Sequence, residues 1–595
     1  MSIYKHPYKE ADFVIRNLLE FDQFCTQYAL EDINSDFTKA VLAEAEKFAL
    51  TELVDLNRQG DLQPAQLQAE KVIETPGFAQ AYQKFVEQGW PSLSGTEQYG
   101  GQGLPNLLSV ACNEIWQSAN IAFSLCPLLG QGAITAIEKH GSDALKAQFL
   151  SKLTSGEWTG TMNLTEAGAG TDLAAIQTQA ILDNGQYKIT GQKIFITWGD
   201  HQMAKNIVHL VLARLPNAPS GMKGISLFIV PKYLLDEQGQ PKIANDLRCL
   251  SLEHKLGIHG SPTCVMSYGD NGGAIGYLVG EEHCGIRYMF SMMNHARQGV
   301  AVQGLGVSER AYQEALEYAV NRVQGRDKQG NSQRIVEFGD VRRMLMMMKS
   351  ATEAMRALCY YAGFETDKKA VQIKSDNAAA LAIESRIAFL TPIVKGWCTE
   401  LTQELVSFAM QVYGGAGYIE ETGVAQHVRD ARILTIYEGT TGIQALDLTI
   451  RKTLLDNGAQ AELFFAEIAQ TIVQLKLCGA AKCMHNVLAS ALNDGQKALL
   501  WLQQNPQQGS CVAAYYLQLW GYLMGGWLMA RSLLAAQQQL DKGVGDNDYL
   551  KAKLVTSEFY SQHYLVRTKT CLASIRAGGD AIMSLTEQQF FSHVN

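Results

Sequence analysis

The order of two hydrophobic periodicities along the chain limits its fold more than any other feature. Apolar residues recur at three- and four-residue spacing in 40–60 and 77–90, which is the period of an amphipathic helix. From about 159 to 285 the pattern is typical of strands. Polar and apolar residues alternate in QYKITGQKIFIT, and NIVHLVLARL and ISLFIVPKYL are runs rich in Ile and Val. Helical spacing returns at about 286 and continues to the C-terminus. Because the strands do not alternate with helices, this order argues against a Rossmann sheet.

The length of the chain predicts several structural parts. A chain of 595 residues is too long for one hydrophobic core. We therefore expect an α+β protein with five parts. These are an N-terminal arm (1–35), an N-terminal helical domain (36–158), a central β-barrel or sandwich (159–285), a C-terminal four-helix bundle (286–455) and an additional helical domain (456–595).

One stretch in the last part, residues 511–530, contains no charged residue and has the length of a membrane-spanning helix. Glycine, glutamine and tyrosine dilute its hydrophobicity, and no basic cluster flanks it. The interpretation we favour is a buried helix of a helical bundle, with peripheral membrane contact at most.

Charge and cysteine usage narrow the class of protein. The formal net charge of −9 makes nucleic acid a poor partner, since an acidic surface repels phosphate. The twelve cysteines are dispersed, form no C-x-x-C pair and match no zinc spacing, so we predict no metal site. Dispersed thiols are typical of a reducing compartment. The start MSIYKHPYKEADF has no apolar signal core, and we expect a cytoplasmic protein.

Three segments contain residues suited to chemistry. MNLTEAGAGTDLAAI (162–176) combines hydroxyls with small residues, which let backbone N–H groups approach a planar ring or a phosphate. KIFITWGD (193–200) is a strand that ends in Thr, Trp and Gly. QVYGGAGYIEETG (411–423) precedes RDARILTIYEGTTGIQALDL (429–448), in which Glu438 stands beside a glycine. Taken singly, the three segments could be a loop, a strand edge and a surface glutamate at a helix start.

Taken together, they resemble the acyl-CoA dehydrogenase family. LTEAGAGTD resembles its flavin loop, KIFITWG its flavin-edge strand, and QVYGGAGYIEE with RDARILTIYEGT its C-terminal signature, in the same order and spacing. The resemblance covers about 40–450. The arm and the trailing helices resemble a longer bacterial subgroup that includes long-chain acyl-CoA and 3-methylmercaptopropionyl-CoA dehydrogenases.

This resemblance implies an activity, a catalytic base and a cofactor. The family converts an acyl-CoA to the trans-2-enoyl-CoA: a base removes the α-proton while FAD accepts the β-hydride. Glu438 matches the base, and an apolar cleft would make a carboxylate more basic. Its backbone N–H and a flavin ribityl hydroxyl would stabilise the charge on the thioester oxygen. Matches to FAD-contacting positions are Met162, Leu164, Thr165, Thr171, Phe195, Ile196, Thr197, Arg322, Gln324, Gln411, Gly414, Gly415 and Thr440.

The resemblance also implies substrate contacts and partners. Thr171, Asn294, Arg297 and Gly439 match substrate-contacting positions, and Arg297 matches an arginine near the CoA moiety. Arg322 and Gln324 match positions that reach the FAD of a second subunit, so we expect a homodimer. An electron-transferring flavoprotein is the expected electron acceptor.

Two departures from the family pattern concern the flavin positions. Thr171 stands where serine is usual, which keeps a hydroxyl. Phe338 and Gly339 replace a common His-Pro, and we predict no flavin contact there. The alternatives are an acyl-CoA oxidase, which shares the first half-reaction, a DNA-binding flavoprotein of the same fold, and a catalytically inactive scaffold.

Overall fold

The structure is a computed structural model that describes residues 4–30 and 32–594. Its helices are α1 (Tyr8–Phe13), α2 (Phe21–Gln27), α3 (Ser35–Phe48), α4 (Val54–Leu62), α5 (Phe78–Glu87), α6 (Asn106–Ala119), α7 (Ile121–His140), α8 (Asp143–Thr154), α9 (Gly285–Asn321), α10 (Gly339–Gln372), α11 (Asn377–Tyr413), α12 (Val424–Ala431), α13 (Thr441–Leu446), α14 (Ala459–Leu477), α15 (Met484–Gln504), α16 (Gly509–Lys542), α17 (Asn547–His563) and α18 (Thr568–Ala577). Its strands are β1 (Gln66–Gln68), β2 (Lys71–Ile73), β3 (Trp158–Asn163), β4 (Gln179–Asp183), β5 (Gln186–Thr197), β6 (Asn206–Arg214), β7 (Ile225–Pro231), β8 (Tyr233–Leu235), β9 (Pro241–Ala244), β10 (Leu247–Leu252), β11 (Thr263–Tyr268), β12 (Ala274–Leu278), β13 (Val323–Arg326) and β14 (Ser332–Arg334). The predicted order of helices, strands and more helices is confirmed.

The described residues form two compact units. Unit 1 contains 45–299, and unit 2 contains 4–44 together with 300–594. The predicted N-terminal helical domain and β domain therefore pack largely as one body.

An eight-stranded sheet is the centre of unit 1. The strand order is β10-β11-β5-β12-β7-β6-β3, and β4 pairs with β5 and β6. Most pairs are antiparallel, but β3 runs parallel to β6, with Gly160 opposite Val208. The long strand β5 pairs with β4, β11 and β12, so it is the strand that ties the sheet together.

The strands β6 and β7 are buried on both faces. On β6, Leu210 and Leu212 lie in a core shared with α7 and α8, whereas Val211 and Ala213 lie in a second core among strand residues. Successive side chains of a strand point to opposite faces, so this division follows directly from the period of two. Burial on both faces explains why the sequences of β6 and β7 are almost continuously apolar and do not alternate with polar residues.

Capping side chains fix where the helices against this sheet begin. The Asn120 side chain accepts a hydrogen bond from the N–H of Phe123 (3.0 Å) and starts α7. Ser142 accepts from the N–H of Leu145 (3.4 Å) and starts α8. Both are preferred N-cap residues.

Long helices form unit 2. The C-terminal half of α9 packs on α11, where Gly304 lies against Thr402 and Cys398. Helices α10 and α11 pack along each other, and α16 packs on both. The approach of α16 to α11 is close, since a Cβ at Gly521 would lie 2.0 Å from Cγ of Trp397.

The uncharged stretch 511–530 lies within α16, and most of its residues are buried. By length and composition alone, Ile121–His140 and Asn377–Tyr418 would suffice to cross a membrane. For the first of these, 78% of the apolar window is buried inside the protein, as in the core helix of a folded domain.

Candidate active site

The segment around Glu438 adopts an unusual backbone conformation. Glu438 has φ +55° and Gly439 has φ +90°. A non-glycine residue in the left-handed region costs about 1–3 kcal/mol, and such strain concentrates at functional positions. Thr440 follows, and its side chain accepts from the N–H of Ile443 (3.3 Å), which starts α13. The chain therefore turns sharply at Glu438, directly before a capped helix.

Neighbouring side chains hold this turn. The hydroxyl of Tyr437 donates to Oε1 of Gln303, a buried residue of α9. Burial, followed by the negative Glu438 carboxylate, raises the pKa of Tyr437 well above its usual value, so the phenol stays a neutral donor. Nε2 of Gln444 lies 3.3 Å from the carbonyl oxygen of Glu438.

The predicted flavin loop follows β3 in unit 1. Met162 is half-buried and Leu164 is buried. The carbonyl of Thr165 accepts from the N–H of Ile194 (2.9 Å), which joins the loop to β5. Thr171 is exposed further along the loop.

The end of β5 directs side chains to different sides within three residues. Phe195 has φ +60° and is 59% exposed, whereas Ile196 is buried. The carbonyl of Thr197 accepts from Oγ1 of Thr161 (2.8 Å). The indole N–H of the buried Trp198 donates to the carbonyl of Ala122 (3.1 Å). An exposed aromatic residue at a fixed, strained position is suited to contact with a flat ligand.

Glu166 and Lys193 connect the flavin loop to this strand, and the sequence analysis did not identify them. Nζ of Lys193 is buried and lies 2.8 Å from Oε1 of Glu166 and 3.0 Å from the carbonyl oxygen of Leu164. Glu166 also accepts from the N–H groups of Gln177 (2.6 Å) and Thr178 (3.1 Å) and from the Thr178 hydroxyl (2.6 Å). One ion pair therefore joins the start of the loop, its end and β5.

Burial and the opposite charge act in opposite directions on the pKa of each member of this pair. Burial lowers the pKa of Lys193 to about 8, and the Glu166 carboxylate opposes that shift. For Glu166, burial alone raises the pKa, but Lys193 and the hydrogen bonds outweigh it and the pKa is lowered. The sequence contained a sign of this pair. Lys193 and the core residue Ile189 are four residues apart on β5, so their side chains point to the same face of the strand. A lysine that faces a core needs an acidic partner.

Replacing Lys193 by methionine is expected to destabilise the protein and the flavin loop together. Glu166 would remain buried without its cation, which costs about 3–5 kcal/mol. We expect a lower thermal midpoint and a lower ratio of flavin to protein absorbance after purification. The control is Lys188→Met on the same strand, whose partly exposed pair with Asp183 is worth about 0–1 kcal/mol. Equal effects of the two substitutions would contradict this role of Lys193.

The predicted substrate residues of α9 lie one turn apart. Arg297 is 4% exposed, and its Nη1 lies 3.3 Å from Oδ1 of the exposed Asn294. Its guanidinium also lies 5.7 Å from the ring centre of Phe290. These contacts restrict the arginine before any ligand binds.

Arg322 and Gln324, which match positions that reach the FAD of a second subunit, follow the end of α9, and the end of α9 lies near the end of α11. Tyr318 stacks on Tyr413, with ring centres 4.0 Å apart. Arg322 follows one turn after Tyr318, Gln324 lies on the exposed strand β13, and Gln411 is exposed near the end of α11.

The two units divide the predicted residues between them. Unit 1 holds Met162, Leu164, Thr165, Thr171, Phe195, Ile196, Thr197, Asn294 and Arg297. Unit 2 holds Arg322, Gln324, Gln411, Gly414, Gly415, Glu438, Gly439 and Thr440. The structure therefore joins the flavin loop to the flavin-edge strand in unit 1. In unit 2 the Glu438 turn contacts the middle of α9 and of α11, and the predicted cofactor residues at the ends of these helices belong to the same unit.

The fold and the matches to family models define an acyl-CoA dehydrogenase. Family models match almost the whole chain: the acyl-CoA dehydrogenase N-terminal domain (36–157), its middle domain (161–270), its C-terminal domain (283–452) and an acetyl-CoA dehydrogenase C-terminal-like domain (464–586). The chain is 44% identical over 593 residues to the 3-methylmercaptopropionyl-CoA dehydrogenase of Ruegeria pomeroyi, covering 98% of this chain and 99% of that protein. The chain belongs to the acyl-CoA dehydrogenase family.

Solved structures agree with this assignment at the level of the fold. ACDH-11 of Caenorhabditis elegans, in complex with C11-CoA, has a TM-score of 0.76 at 22% identity and covers 98% of this chain and 96% of that chain. An acyl-CoA dehydrogenase of Bacillus anthracis complexed with FAD has a TM-score of 0.73 at 20% identity, covering 95% of this chain and 91% of that chain. The predicted additional C-terminal helical domain is confirmed.

Acyl-CoA dehydrogenases are FAD-dependent enzymes, and two loops of this chain fit such a cofactor. A Cβ added at Gly168 or Gly170 of the flavin loop, or at Gly414 or Gly415, would meet no heavy atom within 4 Å. Bare backbone facing open space allows a ring or a pyrophosphate to approach N–H groups closely. The predicted FAD dependence is confirmed by the family.

Proposed function

We propose that this enzyme removes one hydrogen from each of the α and β carbons of an acyl-CoA thioester, with Glu438 as the base. The observation that carries this proposal is the strained turn at Glu438, held on both sides by buried side chains. Strain that the surrounding structure maintains favours a role that depends on the direction of the Glu438 side chain.

The proton and charge transfers follow from the thioester's chemistry. The α-proton is weakly acidic, so its removal needs a positioned carboxylate and donors for the charge that grows on the thioester oxygen. Glu438 takes the α-proton, and its own backbone N–H is our candidate donor for that oxygen. When bound, FAD supplies the acceptor for the β-hydride. The α-proton thus leaves to Glu438, the β-hydride leaves with two electrons, and the product is the trans-2-enoyl-CoA.

The residues that would hold the cofactor are those of the two loops and β5. Met162, Leu164, Thr165, Thr171, Phe195, Ile196, Thr197 and Thr440 are proposed for one subunit's FAD. Arg322 and Gln324 are proposed to reach the FAD of a second subunit, and Gln411, Gly414 and Gly415 are proposed to contact the adenine and pyrophosphate side of the cofactor. The exposure of Arg322, Gln324 and Gln411 supports this assignment, because such side chains are open to a ligand or a neighbour.

Thr171, Asn294, Arg297 and Gly439 are the proposed substrate contacts. The buried, restrained guanidinium of Arg297 is suited to a phosphate or carbonyl of CoA. The related protein of Ruegeria pomeroyi is named for a thioether acyl-CoA, and the nematode neighbour was solved with C11-CoA. We propose an acyl-CoA substrate without assigning the length of its acyl chain.

We further propose that the enzyme is a cytoplasmic homodimer that passes its electrons to an electron-transferring flavoprotein. Because the proposed FAD residues include a set that reaches a second subunit, dilution to monomers should release FAD. Light scattering of the purified protein, with flavin absorbance measured in the same fractions, tests the dimer. A monomer that retains FAD would contradict it.

The activity is tested with the purified protein and a panel of acyl-CoAs. We expect flavin absorbance, anaerobic bleaching by at least one straight-chain or thioether acyl-CoA, and turnover with an artificial electron acceptor. Slow recolouring in air would support a dehydrogenase, and rapid recolouring with peroxide release would instead identify an oxidase. Failure of every acyl-CoA to bleach a flavin-loaded protein would overturn the proposal.

A further inference from the structure

A buried lysine of α11 contacts the turn that carries Glu438. The side chain of Lys395 is 0% exposed, and its Nζ donates to the carbonyl oxygen of Gly439 at 2.8 Å. A buried ammonium group is strongly unfavourable unless strong partners compensate for its lost hydration. In this fold, one of those partners is the carbonyl of Gly439, the residue that directly follows Glu438.

The same helix contacts the segment before and after the turn. Gln403 donates to the carbonyl of Ala431 (2.8 Å), and Glu400 accepts from the hydroxyl of Thr441 (2.5 Å). Lys395 binds between these two points in sequence. A single long helix therefore fixes 431–441 at three places, and the contact to Gly439 is the one made by a cation.

Because the peptide bond is planar, these contacts fix the directions of the carbonyl and N–H groups in the turn. In a trans peptide the carbonyl and the following N–H point in opposite directions. The carbonyl of Gly439 points to Lys395, so the N–H of Thr440 points away from it. The carbonyl of Glu438 lies near Gln444, so the N–H of Gly439 points away from that side chain. Both left-handed residues are thus held through their carbonyls.

The geometry points to Lys395 as a positioning residue for Glu438. It holds the Gly439 carbonyl, which keeps Glu438 and Gly439 in their left-handed conformations and fixes where the Glu438 side chain leaves the backbone. Without this bond the Gly439 carbonyl keeps the longer contact from Nε2 of Gln444 (3.4 Å), and the backbone strain at Glu438 favours relaxation to an ordinary conformation. This inference rests on the proposed role of Glu438 as the base.

The test is Lys395→Met in the full-length, FAD-loaded enzyme. A displacement of about 1 Å at a reacting group can cost about 100-fold in rate. We expect kcat per bound flavin to fall by about 10- to 100-fold, with KM changed by less than about 3-fold. The rate of anaerobic flavin bleaching should fall equally, and substrate deuterated at the α carbon should show a larger isotope effect than in the wild type, since proton removal becomes slower.

Two further variants keep the test decisive if the methionine variant folds poorly. Lys395→Gln keeps an N–H donor without the charge and should retain more activity than the methionine variant. Thr441→Val removes the contact to Glu400 and should lower kcat by a smaller factor. Lys476→Met, at an exposed position of α14, is the control and should behave as the wild type.

Two results would overturn the inference. One is full kcat per bound flavin in Lys395→Met; the other is a loss explained entirely by lower FAD content or a lower thermal midpoint, with an unchanged isotope effect. If Glu438→Gln is inactive while Lys395→Met is fully active, only the positioning role fails. If Glu438→Gln is fully active, the base assignment fails and the positioning role fails with it.

Discussion

Replacing Glu438 by glutamine is expected to lower kcat by about 10²- to 10⁴-fold, the usual contribution of a general base. Glutamine has the same shape but cannot accept a proton at neutral pH. The backbone at this position already has φ +55°, and the substitution leaves the Gln444 contact to the carbonyl of residue 438 in place. Binding of FAD and of acyl-CoA should therefore persist.

The measurement is the rate of anaerobic flavin bleaching after mixing with acyl-CoA, at matched FAD content. Glu421→Gln is the control, because this exposed glutamate lies in the same C-terminal segment. A Glu438→Gln enzyme that bleaches at the wild-type rate would remove this carboxylate from the mechanism. If the wild type bleaches and the Glu438→Gln variant binds substrate without bleaching, the inactive scaffold is also excluded.

Replacing Lys553 by methionine should have the largest effect on stability. Nζ of Lys553 lies 2.5 Å from Oε1 of Glu10 on the N-terminal arm and 2.6 Å from Oε2 of Glu353 on α10. All three side chains are at least nine-tenths buried. Removing the cation leaves two carboxylates buried near each other, and breaking such a pair costs about 3–5 kcal/mol. We expect a loss of that size in the free energy of unfolding.

Urea denaturation followed by circular dichroism measures this change. Lys551→Met is the matched control, since this lysine lies on the same helix at an exposed position. In the Lys553→Met variant, Glu10 loses its bond to Lys553 and keeps the hydrogen bond from the Tyr549 hydroxyl (2.6 Å). We therefore expect a protease to cut the N-terminal arm of this variant faster than that of the wild type. Equal denaturation midpoints for the two variants would show that the buried cation contributes little.

The same network predicts how acid affects the protein. Burial alone raises the pKa of Glu353, but Lys553 and Lys349 outweigh it and hold the pKa well below its usual value. A lowered carboxyl pKa stabilises the fold above the unfolded value of 4.5, and this stabilisation is lost as the pH falls below 4.5 through the folded-state pKa. The Lys553→Met variant should lose less stability over this range, since part of the shift is already absent.

Much of the fold was predictable because it depends on local periodicity. The change from helical spacing to strand alternation near residue 159, and back near 286, follows from which face of each element is buried. The flavin loop, the flavin-edge strand and the turn at Glu438 were found because each is a short, contiguous motif. The roles of their residues stay predictions, apart from the dependence on FAD that the family establishes.

Other parts were not predictable from one sequence. Lys193 and Glu166 are 27 positions apart, and Lys395 and the Gly439 carbonyl are 44 apart. No spacing rule connects such pairs, because the path between them depends on strand pairing and helix packing. The parity of Lys193 on β5 was a signal for a buried cation that the sequence analysis did not use, and it would not have identified the acid.

The sequence by itself determined the elements, their order and the reactive segments, because helix and strand periods and contiguous motifs are properties of neighbouring residues. Only the tertiary structure decided which buried cation meets which carbonyl or carboxylate: Lys193 at the flavin loop, Lys395 at the Glu438 turn and Lys553 at the arm. The physical reason is that a buried charge is stable only where packing supplies its partner. That partner is chosen by the fold as a whole.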